Sequence, residues 1–230
     1  MMLYIRMRFL AIGLLALAAS GTAAAADCGE NPGPGVDWQR CSKQMLQLQG
    51  SDLSDANLQG AYLTGTGLSN SNLSGADMSG SELVRTSLDG TNLSGANLEK
   101  ALAHRATFES ASLREARLEK AEFVRVNLDE ADLSNANMVK GEFIRNSFRD
   151  ANLSGADLSG ANLSRAVFHG ANLAGASFQG AQLHWARFEN TDLSSAGGLT
   201  QDQVDAACGD ATTKLPDGLT APANWPCAPD

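Results

Sequence analysis

Histidine, cysteine, aromatic side chains and long apolar runs are all scarce in this chain. It has three histidines, four cysteines and 6% aromatic residues, and no apolar run after residue 26 is long enough to span a bilayer. No membrane-spanning helix is therefore expected in the mature chain. A serine nucleophile needs a histidine base and an orienting acid close by, so three scattered histidines leave little room for hydrolytic chemistry. Neither the phosphate-binding glycine loop nor the dinucleotide fingerprint is present, and no stretch reads as a cofactor box. The expectation is a protein that is not an enzyme and uses no cofactor or metal.

Basic residues are also the minority, 17 against 26 acids, for a formal net charge of -9. Such an excess disfavours a general nucleic-acid or anionic-membrane binder, yet leaves room for a local basic patch. The one long apolar segment lies at the start. Arg6 and Arg8, the apolar run Phe9 to Ala19, and Ala24-Ala25-Ala26 form the three parts of a secretory leader over residues 1–26. The mature chain is then expected to start at Asp27, to carry a net charge of -11 without the two leader arginines, and to be periplasmic or secreted.

What the chain does have is a period of five. Leu53, Leu58, Leu63, Leu68, Leu73 and Met78 begin a series that runs to Leu193, and of its 29 positions only Ala103 is small. Two residues before each stands mostly alanine, serine or threonine, as at Ala56, Ala61, Ala96 and Ala151. Five matches neither the 3.6 period of a helix nor the 2.0 period of a strand. A fixed short period points to a solenoid, whose units bury their apolar residues only by stacking. Four units per square turn give 20 residues per turn and about seven turns over residues 50–195. At the ~4.8 Å spacing of stacked β segments the rod is ~35 Å long.

The unit A(D/N)LSG, as in Ala151-Asn152-Leu153-Ser154-Gly155 and Ala156-Asp157-Leu158-Ser159-Gly160, resembles the pentapeptide repeat family. The flanking stretches PGPGVDW and GLTQDQVDAACG are similar to flanks found in some of its bacterial members. The resemblance implies an all-β solenoid, a right-handed quadrilateral β-helix. It also raises an alternative function, since some acidic members imitate DNA and bind topoisomerase. A cytoplasmic target is at odds with an exported chain.

Residues 20 apart then lie one above another, and one side stands out. Outward from Leu63, Leu83, Ala103, Phe123, Phe143, Leu163 and Leu183 runs a file of Gly65, Arg85, Arg105, Arg125, Arg145, Arg165 and Trp185. Beside it run Val84, Val124 and Ile144, and a further row holds Glu82, Glu122 and Glu142. Two readings follow. The arginines form solvated ion pairs with those glutamates, or Val84, Arg85, Arg105, Val124, Arg125, Ile144, Arg145, Arg165 and Trp185 form an interaction stripe for a protein or an anionic envelope component. The missing glycines in this file suggest a distinct corner geometry. The side centred on Leu68 is acidic, with Asp89, Glu109, Asp129, Glu130, Asp150 and Glu189. Without a ligand for the stripe, the chain is a purely structural rod.

The cysteines flank the repeats, two at each end. A rod ~35 Å long separates the pairs far beyond disulfide reach, so Cys28 is expected to bond Cys41, and Cys208 to bond Cys227. Residues 27–49 and 196–230 read as end caps, because open β turns expose unpaired backbone. Thr200-Gln201-Asp202-Gln203 fits a capping box for one short helix running to about Cys208, with Gly209 as its stop.

Overall fold

A five-residue period buries its inner residue only if the chain turns a corner after every unit. The computed structural model, which describes residues 26–227, shows this arrangement. Except for Ala26, the expected leader lies outside the described residues. Parallel bridges join each unit to the one 20 residues later, from Asp37↔Asn57 through Ser177↔Gly197. Three backbone bonds recur between coils on most sides of the rod. On the arginine side, Leu63 N–H donates to Glu82 O (2.8 Å), Gly65 N–H to Val84 O (2.9 Å) and Glu82 N–H to Ala61 O (2.9 Å). The result is a right-handed quadrilateral β-helix.

The interior is built from the two positions that the period selects. Leu53 through Leu193 at intervals of five are at most 2% exposed, and the alanines two residues before them are nearly as buried. Burial on this scale stabilises by about 1.5–3 kcal/mol per large side chain. At several of the positions where threonine or serine replaces that alanine, its hydroxyl donates to an inner carbonyl of the coil below: Thr86 to Leu63 O (2.8 Å), Thr91 to Leu68 O (2.8 Å), Ser71 to Leu48 O (2.9 Å). Those buried hydroxyls have their partners, whereas that of Ser81, at the same position, has none among the described residues. Toward the C-terminal end the rings of Phe148, Phe168 and Phe188 stack at 4.9 and 5.0 Å. Phe108 and Phe123 stack at 5.3 Å, in the coil of the small Ala103 and the coil above it.

The coil begins before residue 50, where the cap was expected to end. Trp38, Lys43 and Leu48 occupy inner positions in the same register, and add most of a turn below the repeats. Lys43 is 7% exposed at a position that elsewhere holds apolar residues, mostly leucine or phenylalanine. The open end of the rod makes this possible. Its ammonium lies 3.7 Å from the Trp38 ring centre and donates to Cys28 O (2.8 Å). Burial lowers the Lys43 pKa, while Asp27 and Glu30 act to raise it. Cys28 bonds Cys41, and the Trp38 indole N–H donates to Glu30 O (3.1 Å).

At the other end Gly198 adopts φ +74°, and a β-carbon there would lie 2.7 Å from Gln179 N, so only glycine fits. Helix α1, Gln201–Asp205, follows with the expected capping box between Thr200 and Gln203. It is shorter than the sequence suggests. Ala206 caps it, and Cys208 rejoins the ladder, donating from its N–H to Ala186 O (2.7 Å) and bridging to Arg187. Gln203 Nε2 donates to the carbonyls of Phe178 (2.9 Å) and Ala181 (2.8 Å). The tail then folds back. Cys227 bonds Cys208, the Trp225 indole N–H donates to Ala207 O (2.9 Å), and Lys214 pairs with Asp192 at 2.8 Å, holding that carboxyl well below the usual range.

Candidate interaction surface

The square cross-section brings the six file residues together. Arg85, Arg105, Arg125, Arg145, Arg165 and Trp185 stand at the same corner of successive coils, and the N–H of each donates to the next coil: Arg85 to His104 O (3.0 Å), Arg125 to Ile144 O (3.0 Å), Trp185 to Ala206 O (2.8 Å). Their corners are not distinct in backbone angle. φ is +56° at Arg85 and Arg105 and +60° at Arg165, close to the +68° of Gly65 in the same file. The expectation of a separate turn geometry is thereby corrected. The ladder requires the left-handed corner whatever the residue, and an arginine there carries backbone strain that glycine avoids.

These arginines also differ from the basic residues of the neighbouring side. There Lys100 pairs with Glu99 (2.9 Å), Lys120 with Glu119 (3.1 Å) and Arg117 with Glu99 (3.4 Å). Among the described residues, no carboxylate oxygen lies within 4.0 Å of the five file guanidiniums. The expected ion pairs with Glu82, Glu122 and Glu142 do not form. Those glutamates occupy the bridging position of the ladder, and Glu142 accepts instead from Asn162 Nδ2 (2.8 Å). Val84, Val124 and Ile144 are half-buried beside the exposed file.

Charged and amide groups on the other sides serve the fold. Asn72 Nδ2 donates to Asp52, Asn92 to Asn72, Asn97 to Asp77 and Asn152 to Asp132, all at 3.0–3.1 Å, so the D/N of each repeat forms a ladder between coils. The acidic side does likewise: Asp89 accepts from Glu109 N (3.0 Å) and Asp129 from Arg149 N (2.9 Å). On the arginine side the bridging row Glu82, Leu102, Glu122, Glu142 departs from that D/N pattern. The row on the Leu68 side, with Ser87, Thr107, Ser147 and Val167, departs from it as well, so the unpaired file and not the bridging row sets the arginine side apart.

Besides Trp185, three residues that sequence reasoning passed over, Met45, Leu46 and Tyr62, mark the same side. The exposed large hydrophobics among the described residues are Met45 (73%), Leu46 (40%), Tyr62 (41%) and Trp185 (47%). Met45 continues the file below Gly65, Leu46 follows it at the corner, and Tyr62 takes the bridging position below Glu82. Continuing the period of five downward to Lys43 would have revealed them. At the opposite end Arg165, His184, Trp185, Asp202, Gln203 and Ala206 border an open groove of about 610 Å³ between the last coil and α1. Trp38 and Trp225 bond their indole N–H groups within the caps, whereas that of Trp185 has no partner among the described residues.

With the geometry in view, comparison with known proteins settles the family. The model of pentapeptide repeats matches in eight copies that together span residues 47–194. The chain belongs to the pentapeptide repeat family. Among solved structures, this pentapeptide repeat protein is similar to HetL of the cyanobacterium Nostoc sp. strain PCC 7120, a pentapeptide repeat protein involved in heterocyst differentiation regulation. The identity is 30%, over 80% of this chain and 91% of that one, with a TM-score of 0.33. A pentapeptide repeat protein of the Arabidopsis thaliana thylakoid lumen is 27% identical over 60% of this chain and 77% of that one, with a TM-score of 0.19. QnrB1, a plasmid-mediated fluoroquinolone resistance protein, is 20% identical over 78% and 84%, with a TM-score of 0.47. A search of curated proteins found no match.

Proposed function

We propose that this pentapeptide repeat protein is an exported, non-enzymatic binding module, a rigid rod that presents Arg85, Arg105, Arg125, Arg145 and Arg165 with Val84, Val124, Ile144 and Trp185 to a protein or an anionic component of the cell envelope. The observation that carries this reading is five exposed guanidiniums in one file, none paired, on a chain of net negative charge. Arginine forks match carboxylates and phosphates, and arginine, tryptophan, tyrosine and methionine are enriched at interfaces. Two disulfides and the leader-like residues 1–26 support an oxidising compartment. A DNA-mimicking, topoisomerase-binding role calls for an unbroken acidic face in the cytoplasm, and a ligand-free rod has no use for a file of unpaired arginines.

The test is crosslinking capture from the envelope fraction with the wild-type protein and with an Arg85→Ala, Arg125→Ala, Arg145→Ala variant shown to be folded by circular dichroism. N-terminal sequencing of the protein recovered is expected to start at Asp27. A partner held by the wild type and lost by the variant supports the stripe. Equal capture by both returns the arginines to solvent, and recovery of topoisomerase with residues 1–26 intact replaces the exported role by the cytoplasmic one.

A further inference from the structure

A surface that repeats with every coil is best matched by a ligand that repeats too. The arginine file advances by one coil, ~4.8 Å, per guanidinium, so the five span ~19 Å along a ladder whose register is fixed by backbone bonds between coils. A folded protein partner seldom offers evenly spaced charges over that distance. A linear polymer with one anion per unit offers nothing else.

The groups beside the file narrow its chemistry. Glu82, Glu122 and Glu142 form a parallel row on the same side, and Asp202 borders the groove at the file's C-terminal end. Carboxylates so placed repel a densely charged phosphate polymer or nucleic acid. They accept hydrogen bonds from hydroxyl groups. Trp185, half exposed with its indole N–H free, supplies a flat apolar platform at that end, with His184 and Arg165 on the same groove. Tyr62 supplies a second exposed ring at the other end. An aromatic face suits the apolar C–H face of a sugar ring, and an arginine fork suits a carboxylate.

Building on the binding role proposed above, we infer that the file binds an acidic polysaccharide, a chain of uronate-type sugars with one carboxylate per ring. Its terminal sugar stacks on Trp185 with the carboxylate on Arg165 and hydroxyls toward Asp202. Successive carboxylates meet Arg145, Arg125, Arg105 and Arg85, and hydroxyls face the glutamate row. Because each added sugar engages one more coil, affinity rises with chain length until the file is covered.

Tryptophan fluorescence and calorimetry with oligogalacturonates of increasing length, at about 0.15 M salt to suppress weak surface electrostatics, test this. The expected result is binding that tightens up to about five units, one per arginine, then levels off, with no binding of a neutral galactan. Trp185→Ala is expected to weaken every length about tenfold, a 1.4 kcal/mol loss. Arg85→Ala, at the far end, is expected to weaken only the long chains. Inorganic polyphosphate bound as tightly as oligogalacturonate, or affinity unaffected by Trp185→Ala, would show simple charge attraction and overturn the inference. If the triple arginine variant loses a protein partner while no oligogalacturonate binds the wild type, the polysaccharide inference falls and the binding role stands. If neither ligand nor partner distinguishes the variants, both fall.

Discussion

Phe168→Ala is expected to destabilise the rod by about 3–5 kcal/mol, the range for emptying the space of a buried phenyl ring. Its ring lies 4.9 Å from Phe148 and 5.0 Å from Phe188, nearly parallel to both, and meets Phe178 edge-on at 6.5 Å. Three aromatic contacts go at once, each worth about 0.5–1.5 kcal/mol beyond area burial. The backbone around the hole is fixed by ladder bonds above and below, so collapse offers little relief. In a solenoid each coil is stabilised by its neighbours, so the loss is expected to fall on the C-terminal coils. Urea unfolding should show the drop, and hydrogen exchange should show reduced protection concentrated beyond residue 148. A loss below about 1.5 kcal/mol would mean that the coils close on the gap, against the rigidity argued here.

Removal of the C-terminal disulfide by Cys208→Ser with Cys227→Ser is the second large effect expected, about 2–4 kcal/mol. The bond spans 19 residues, against 13 for Cys28–Cys41, so the unfolded chain gains more freedom from its loss. The cap is also thin. The Trp225 ring packs where a β-carbon on Gly209 would meet it at 2.3 Å, and its indole N–H bonds Ala207 O. Gln203 and Thr213 cover the carbonyls of Phe178, Ala181 and Phe188. Freed, the tail exposes the last coil as an unpaired edge, which favours association between rods. Thermal unfolding with light scattering should show a lower midpoint together with larger particles, and the same double change at Cys28 and Cys41 should do less. Equal stability with and without the Cys208–Cys227 bond would mean that the hydrogen-bonded cap holds unaided.

The inner register was legible because burial dictates residue type there: leucine, methionine or phenylalanine every five, with a small residue two before. The lowest coil was not, because Lys43 breaks that pattern, and only the open end lets an ammonium reach Cys28 O and the Trp38 ring. Since Met45, Leu46 and Tyr62 are placed by the same coil, they were missed with it. The file of Arg85 to Arg165 followed directly from a turn of 20 residues. Its lack of ion pairs did not, because the reach of Glu82, Glu122 and Glu142 depends on their place in the ladder. Helix α1 was expected at its start, where side chains cap, and misjudged at its end, where Cys208 is drawn back into the β ladder.

The central claim is that the arginines at these corners are present for a partner and not for the fold. The most direct measurement replaces Arg85, Arg105, Arg125, Arg145 and Arg165 together by glycine, then determines unfolding free energy and partner capture on the same protein. The account predicts stability unchanged or raised, by up to about 1 kcal/mol per corner as left-handed strain is relieved, with capture abolished. A fall of several kcal/mol with capture intact would contradict it.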